Sequence, residues 1–66
     1  MTINEVKARV AEIAGMIRDD EMAHSNEDDL HQAVLHAISV GECDDPVACA
    51  REALMTLNLD FERWYA

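Results

Sequence analysis

Residues 19–40, DDEMAHSNEDDLHQAVLHAISV, contain the longest helical pattern in the chain and decide its fold. The pattern opens with acidic residues at positions 19–21, which suit an N-cap and a first helical turn. Its apolar side chains return every three or four residues, the spacing that places them on one face of an α-helix. These apolar residues are Ala23, Leu30, Ala33, Val34, Ala37 and Ile38. We predict one continuous helix over about 20–40, in preference to two pieces separated by a turn near Ser25.

A second helical pattern precedes this segment. Thr2 and Glu5 have the spacing of a capping box. In this motif the N-cap hydroxyl accepts from the backbone amide three residues later, and the acid at that position accepts from the N-cap amide. Apolar residues then recur at alternating spacings of three and four. They are Ile3, Val6, Val10, Ile13 and Ile17. The pattern predicts a helix over about 3–18.

A third helical pattern follows the central segment. Gly41 favours a stop for the central helix, and Asp45-Pro46 is a strong start for the next, with Asp as N-cap and Pro in the first turn. The apolar stripe behind this start is Val47, Ala50, Ala53, Leu54 and Leu57. We predict a helix over about 46–58 and a short helical turn over 60–65, which Asp60 can cap.

Helices joined by such short connections are antiparallel neighbours. We therefore predict a single all-α domain over residues 1–66, folded as a small antiparallel three-helix bundle. A chain this short has a thin core, so a helical hairpin that pairs with a second copy is the alternative.

The net charge of −9 is concentrated in one part of the chain. Residues 19–45 contain nine carboxylates and no Lys or Arg. These carboxylates are Asp19, Asp20, Glu21, Glu27, Asp28, Asp29, Glu42, Asp44 and Asp45. Such a band repels nucleic acid and membrane surfaces and attracts basic proteins. The simpler interpretation is a solvated face that keeps the protein soluble.

The charge suggests a surface for a basic protein partner along the central helix. Its predicted acidic residues are Asp19, Asp20, Glu21, Glu27, Asp28 and Asp29. Three apolar or aromatic side chains, Leu35, Trp64 and Tyr65, could extend it, because Leu35 lies off the main apolar face and aromatic residues are enriched in interface cores. Trp64 is also a candidate core residue, since the chain has few aromatic residues.

Metal binding is an alternative function. Asp20, His24, Glu27 and His31 follow one another at spacings of four, three and four along one flank of the central helix, and they are suitable ligands for zinc. Asp20 and His31 are about 16 Å apart along a straight helix, so one ion cannot bind all four. A site on His24, Glu27 and His31 would need further ligands. The competing interpretation is two i,i+4 pairs on the helix surface.

Enzymatic activity has little support in the sequence. Cys43 and Cys49 have acidic neighbours, which make a thiol less nucleophilic. Ser25 and Ser39 lie outside any strand–turn–helix context, and no Gly-rich phosphate loop occurs. We expect a non-enzymatic protein without a cofactor. The sequence shows neither a signal-peptide pattern nor a membrane-spanning run. We therefore predict a cytoplasmic location, where the two thiols stay reduced.

The pattern DDEMAH–ED–LH–VL–AI, followed by a DP helix start and the terminal DFERWYA, resembles small uncharacterised proteins of phages and prophages, mostly of actinobacteria. The similarity covers most of residues 19–66. It implies an accessory protein acting in a bacterial cytoplasm, where small acidic proteins serve as host-interaction or anti-defence factors. Three hypotheses result: a protein-binding factor, a metal-binding module, and a structural homodimer without a small-molecule site.

Overall fold

The computed structural model describes residues 1–63 and contains three α-helices. They are α1 (Ile3–Ala14), α2 (Asp20–Ser39) and α3 (Pro46–Leu54), and α3 continues into a 3₁₀ turn (Met55–Asn58). Each α-helix contacts the other two. The predicted all-α three-helix bundle is therefore confirmed.

Side-chain caps start all three helices where the sequence predicts them. The Thr2 hydroxyl accepts from the Glu5 amide at 3.2 Å. Asp19 Oδ1 accepts from the Met22 amide at 3.1 Å, and Asp45 Oδ1 accepts from the Ala48 amide at 3.0 Å. Because these bonds satisfy amides that have no partner within the helix, they fix where each helix begins. Helix α2 runs through Ser25 without a break, so the alternative start there is wrong.

The helix ends differ from the predicted ones. Helix α1 ends at Ala14, and residues 15–18 form turns that the sequence predicted as helix. Helix α2 ends at Ser39, next to Gly41, whose φ of 72° only glycine adopts without strain. The Gly41 and Glu42 amides then donate back to carbonyl oxygens of the last turn of α2, which closes that helix.

The predicted helical turn over 60–65 is not present where the structure describes it. Residues 60–63 form no helix, and residues 64–66 lie outside the described part of the chain. The Glu62 amide donates to Asp20 Oδ1 at 3.2 Å, and the Arg63 side chain reaches Glu27. These bonds to α2 hold the segment along the bundle, where a local helix would not reach them.

The core lies between the three helices and is closed by Phe61 from the C-terminal segment. Its buried members are Val6, Ile13, Ala23, Leu30, Val34, Cys49, Ala53 and Phe61. Three polar side chains are buried with them, His24, Glu27 and Thr56. Over residues 1–63, no helix combines the length and the apolar composition that crossing a membrane requires.

The orientation of α3 corrects the predicted apolar stripe. Val47, Leu54 and Leu57 are 62%, 54% and 56% exposed, while Cys49, Ala53 and Thr56 face the core. The core-facing residues are small, which lets α3 pack close to the other helices. Val47, Leu54 and Leu57 are thereby left on the surface.

Candidate functional site

A buried carboxylate, Glu27, is the centre of the polar contacts on α2. Its side chain is only 4% exposed. Glu27 Oε1 accepts from Arg63 Nε at 2.8 Å, and Oε2 accepts from an Arg63 terminal nitrogen at 2.9 Å. This two-point geometry is the strongest arrangement for an Arg–carboxylate pair. Glu27 therefore belongs to the folded interior, and its predicted place on the exposed acidic surface is wrong.

Arg63 joins the C-terminal segment to two other parts of the bundle. Its guanidinium also donates to the Thr56 carbonyl oxygen at 2.9 Å and to the Phe61 carbonyl oxygen at 3.2 Å. The same group lies 4.0 Å from the centre of the Phe61 ring, within the range of a cation–π contact. Arg63 thus holds Phe61 over the core while it neutralises Glu27.

The hydrogen bonds to Arg63 hold the pKa of Glu27 below its ordinary value of 4.5. Burial opposes this shift, and the Thr56 side chain adds to it. Glu27 is therefore ionised at neutral pH, and its charge is already paired inside the protein. A carboxylate in this state is a poor candidate for a metal ligand or for contact with a partner protein.

His31 also contacts the interior from the edge of α2. Its Nε2 lies 3.0 Å from the Thr56 hydroxyl and 3.2 Å from the Ala53 carbonyl oxygen. An N–H at Nε2 satisfies both contacts, since a carbonyl oxygen can only accept. The third metal candidate, His24, is buried and lies 3.4 Å from Asp28 at i,i+4.

These geometries do not assemble the metal site that the spacing suggested. Within residues 1–63, no three His, Cys, Asp or Glu side chains are placed to hold one ion. Both carboxylate oxygens of Glu27 accept from Arg63, and His31 Nε2 lies 3.0 Å from the Thr56 hydroxyl. The two cysteines, Cys43 and Cys49, are free thiols. A hydrogen bond with Cys43, together with burial, raises the pKa of Cys49, so less of it is thiolate at neutral pH.

The remaining predicted acidic residues lie at the surface, each in a different setting. Asp19, Glu21 and Asp29 are exposed, and the side chain of Asp28 is 44% exposed. Asp20 is half-buried, because it accepts the Glu62 amide. We call Asp19, Glu21, Asp28 and Asp29, with Glu42, Asp44 and Asp45 of the loop after α2, the acidic surface.

An apolar groove runs between α2 and α3. Its walls are Val34, Leu35 and Ile38 of α2 and Ala50, Ala53 and Leu54 of α3, and its volume is about 260 Å³. His31 is the single polar side chain among the lining residues. Leu35 is 67% exposed, so its predicted position off the core-facing side is confirmed. Trp64 and Tyr65, the other predicted apolar contacts, lie outside the described residues.

Three residues of these sites were not identified from the sequence: Arg63, Thr56 and Leu54. Arg63 pairs with a residue 36 positions away, and no local pattern carries that information. A usable signal existed for α3, because Cys49, Ala53 and Thr56 are spaced by four and three like any buried stripe.

Comparison with protein-family models, curated proteins and solved structures finds no match.

Proposed function

We propose that this protein is a non-enzymatic binding factor whose acidic surface binds a basic protein. The supporting observation is that, within residues 1–63, the carboxylates of the acidic surface form no ion pairs with Lys or Arg. Within residues 1–63, Glu27 is the single carboxylate that pairs with a Lys or Arg, and it is not part of the acidic surface. The charge of the acidic surface is therefore available to attract an oppositely charged partner.

Helix capping explains only part of this acidity. Asp19 and Asp45 each cap a helix, and Glu21 lies in a first turn where negative charge is favourable. Asp28 and Asp29 lie in the middle of α2, and neither caps a helix. Asp28 lies 3.4 Å from His24 within the helix, so Asp29 is the carboxylate for which a basic partner gives a function that local helix chemistry does not supply.

The resemblance to small phage and prophage proteins supports a setting for this binding. In that setting, the protein acts in a bacterial cytoplasm as an accessory factor, with a host-interaction or anti-defence role. Its partner there is a bacterial or phage protein with a cluster of Lys and Arg, such as a nucleic-acid-binding surface.

The test compares two triple variants of equal net charge. In the first, Glu21→Gln, Asp28→Asn and Asp29→Asn neutralise part of the acidic surface. In the matched control, Glu5→Gln, Glu12→Gln and Asp60→Asn remove three exposed carboxylates elsewhere. Both changes raise the net charge from −9 by three units to −6. Each protein is immobilised and exposed to a bacterial lysate at about 0.1 M and about 0.5 M KCl, because the higher salt shortens the Debye length from about 10 Å to about 4 Å.

Proteins captured by the wild type and the control triple, but lost with the first triple and at high salt, would support the proposal. Capture that persists at high salt would count against it. Equal loss with both triples would show that net charge, and not the acidic surface, determines binding. Thermal melting of each variant checks that the bundle remains folded.

A further inference from the structure

We propose that the groove between α2 and α3 seats the apolar face of a basic amphipathic helix from a partner protein. This inference rests on the proposed function and specifies the form of the partner. It depends on four features of the groove: its exposed leucines, its mostly apolar lining, its length and the charge at its two ends.

The groove has large exposed apolar side chains on both walls. Leu35 on α2 is 67% exposed and Leu54 on α3 is 54% exposed. The floor between them includes Val34 and Ala53, which are buried. An apolar side chain inserted between the two leucines would remove surface from water on both walls at once, which favours binding.

The chemistry of the lining selects the secondary structure of the occupant. The only polar lining side chain is His31, and its Nε2 is bonded to Thr56 and Ala53. Both walls are α-helices, whose backbone groups bond within each helix, so an extended segment would find no row of backbone hydrogen-bond partners there. A helix satisfies its own backbone groups and presents side chains alone, which is the helix-in-groove mode of recognition.

The length of the groove sets how much helix it can hold. Its lining on α2 extends from His31 to Ile38, a rise of about 10 Å at 1.5 Å per residue. This corresponds to two turns of an occupant helix. The occupant should therefore present apolar residues at positions i, i+3 or i+4, and i+7.

The charge around the groove selects a basic occupant over a second copy of this chain. Asp28 precedes His31 by one turn on the same side of α2, so it lies beyond one end of the groove. The loop that joins α2 to α3 lies beyond the other end and carries Glu42, Asp44 and Asp45. On α3, the charges of Arg51 and Glu52 sum to zero, and Arg63 near the first end is paired with Glu27. A second copy, also at −9, would add carboxylates to both ends, whereas Lys and Arg flanking an apolar stripe would be complementary.

The experiment uses the full-length protein and three fluorescently labelled peptides with the same number of lysines. The first is a Lys/Leu peptide whose leucines recur every three or four residues. The second has the same composition in an order that spreads the leucines around the helix. The third replaces the leucines with glutamine. Fluorescence anisotropy gives the dissociation constants for wild type, Leu35→Gln, Leu54→Gln and the matched control Leu57→Gln, whose 56% exposed side chain lies outside the groove.

The first peptide should bind at least about ten-fold more tightly than the others, because only it presents a continuous apolar stripe. Leu35→Gln and Leu54→Gln should each weaken it about five-fold, the effect of losing the burial of roughly half a leucine side chain. Leu57→Gln should leave the affinity within about two-fold. Equal binding of all three peptides, or equal weakening by Leu57→Gln, would overturn the groove proposal.

Two further outcomes separate this proposal from the one it rests on. If all three peptides bind alike and neutralising the acidic surface weakens them, the acidic surface binds basic partners and the groove does not. If no peptide binds, the groove proposal fails, and the lysate capture alone decides whether the acidic surface binds a basic protein. Sedimentation tests the remaining occupant: a dimer that Leu54→Gln dissociates and Leu57→Gln does not would assign the groove to a second copy.

Discussion

The substitution Arg63→Ala tests whether the C-terminal segment is part of the folded structure. It removes two hydrogen bonds to Glu27, two to backbone carbonyl oxygens at Thr56 and Phe61, and the contact with the Phe61 ring. It also leaves the Glu27 carboxylate, at 4% exposure, without its positive partner.

The expected cost follows from the burial of the two partners. Removing one partner of a fully buried ion pair typically costs about 3–5 kcal/mol. The Arg63 side chain is 28% exposed, so water can reach the vacated position, and we discount the cost to about 2 kcal/mol. A chain of this length has a total stability of roughly 3–10 kcal/mol. The midpoint of thermal unfolding should fall by about 8–16 °C.

Thermal unfolding followed by circular dichroism measures this effect. Arg51→Ala is the matched control, because Arg51 is exposed and its loss should change stability by no more than about 0.5 kcal/mol. Arg63→Lys should lie between the two, since an ammonium keeps the charge but cannot make the two-point contact. A double-mutant cycle with Glu27→Gln isolates the interaction free energy between Arg63 and Glu27, which we expect to be about 1–2 kcal/mol. Equal melting of Arg63→Ala and Arg51→Ala would refute the role assigned to Arg63.

Three other predictions use the same unfolding measurements. Because the pKa of Glu27 is lowered in the folded protein, its ionisation stabilises the fold above pH 4.5, and this contribution is lost as the pH falls through the lower folded pKa. The difference in unfolding free energy between wild type and Glu27→Gln should therefore shrink on acidification, and a constant difference would contradict the assignment. Thr56→Val should lower stability by about 1–2 kcal/mol, since the buried hydroxyl that bonds His31 Nε2 at 3.0 Å is lost; an unchanged urea midpoint would show that this bond contributes nothing. Gly41→Ala should cost about 1 kcal/mol from the backbone alone, because φ is 72° and no atom lies within 4 Å of the added methyl, and an increase in stability would contradict that conformation.

The positions where helices begin could be predicted from the sequence because they depend on neighbours in the chain. Thr2, Asp19 and Asp45 each cap an amide three residues ahead. Where the helices end depends on more distant contacts. Helix α1 stops at Ala14 and residues 60–63 remain non-helical, although the local sequence allows helix in both places.

The acidic surface could be predicted only in part. The sequence places a carboxylate at position 27 in the same run as Asp28 and Asp29, and composition cannot distinguish their settings. In the bundle, Glu27 points inward because Arg63, 36 residues later, lies against it. The apolar groove could not be predicted either, because the predicted apolar stripe of α3 assigned Leu54 to the core.

The sequence by itself determined an acidic chain of three helices with their starting points, since helix period, caps and charge are local properties. The tertiary structure alone decided which charge is neutralised and which leucines remain exposed. The physical reason is that burial depends on how α3 is rotated and where the C-terminal segment lies, and both are set by contacts between residues far apart in the chain. For this reason Glu27, which was expected at the surface, is buried, and Leu54, which was expected in the core, is exposed.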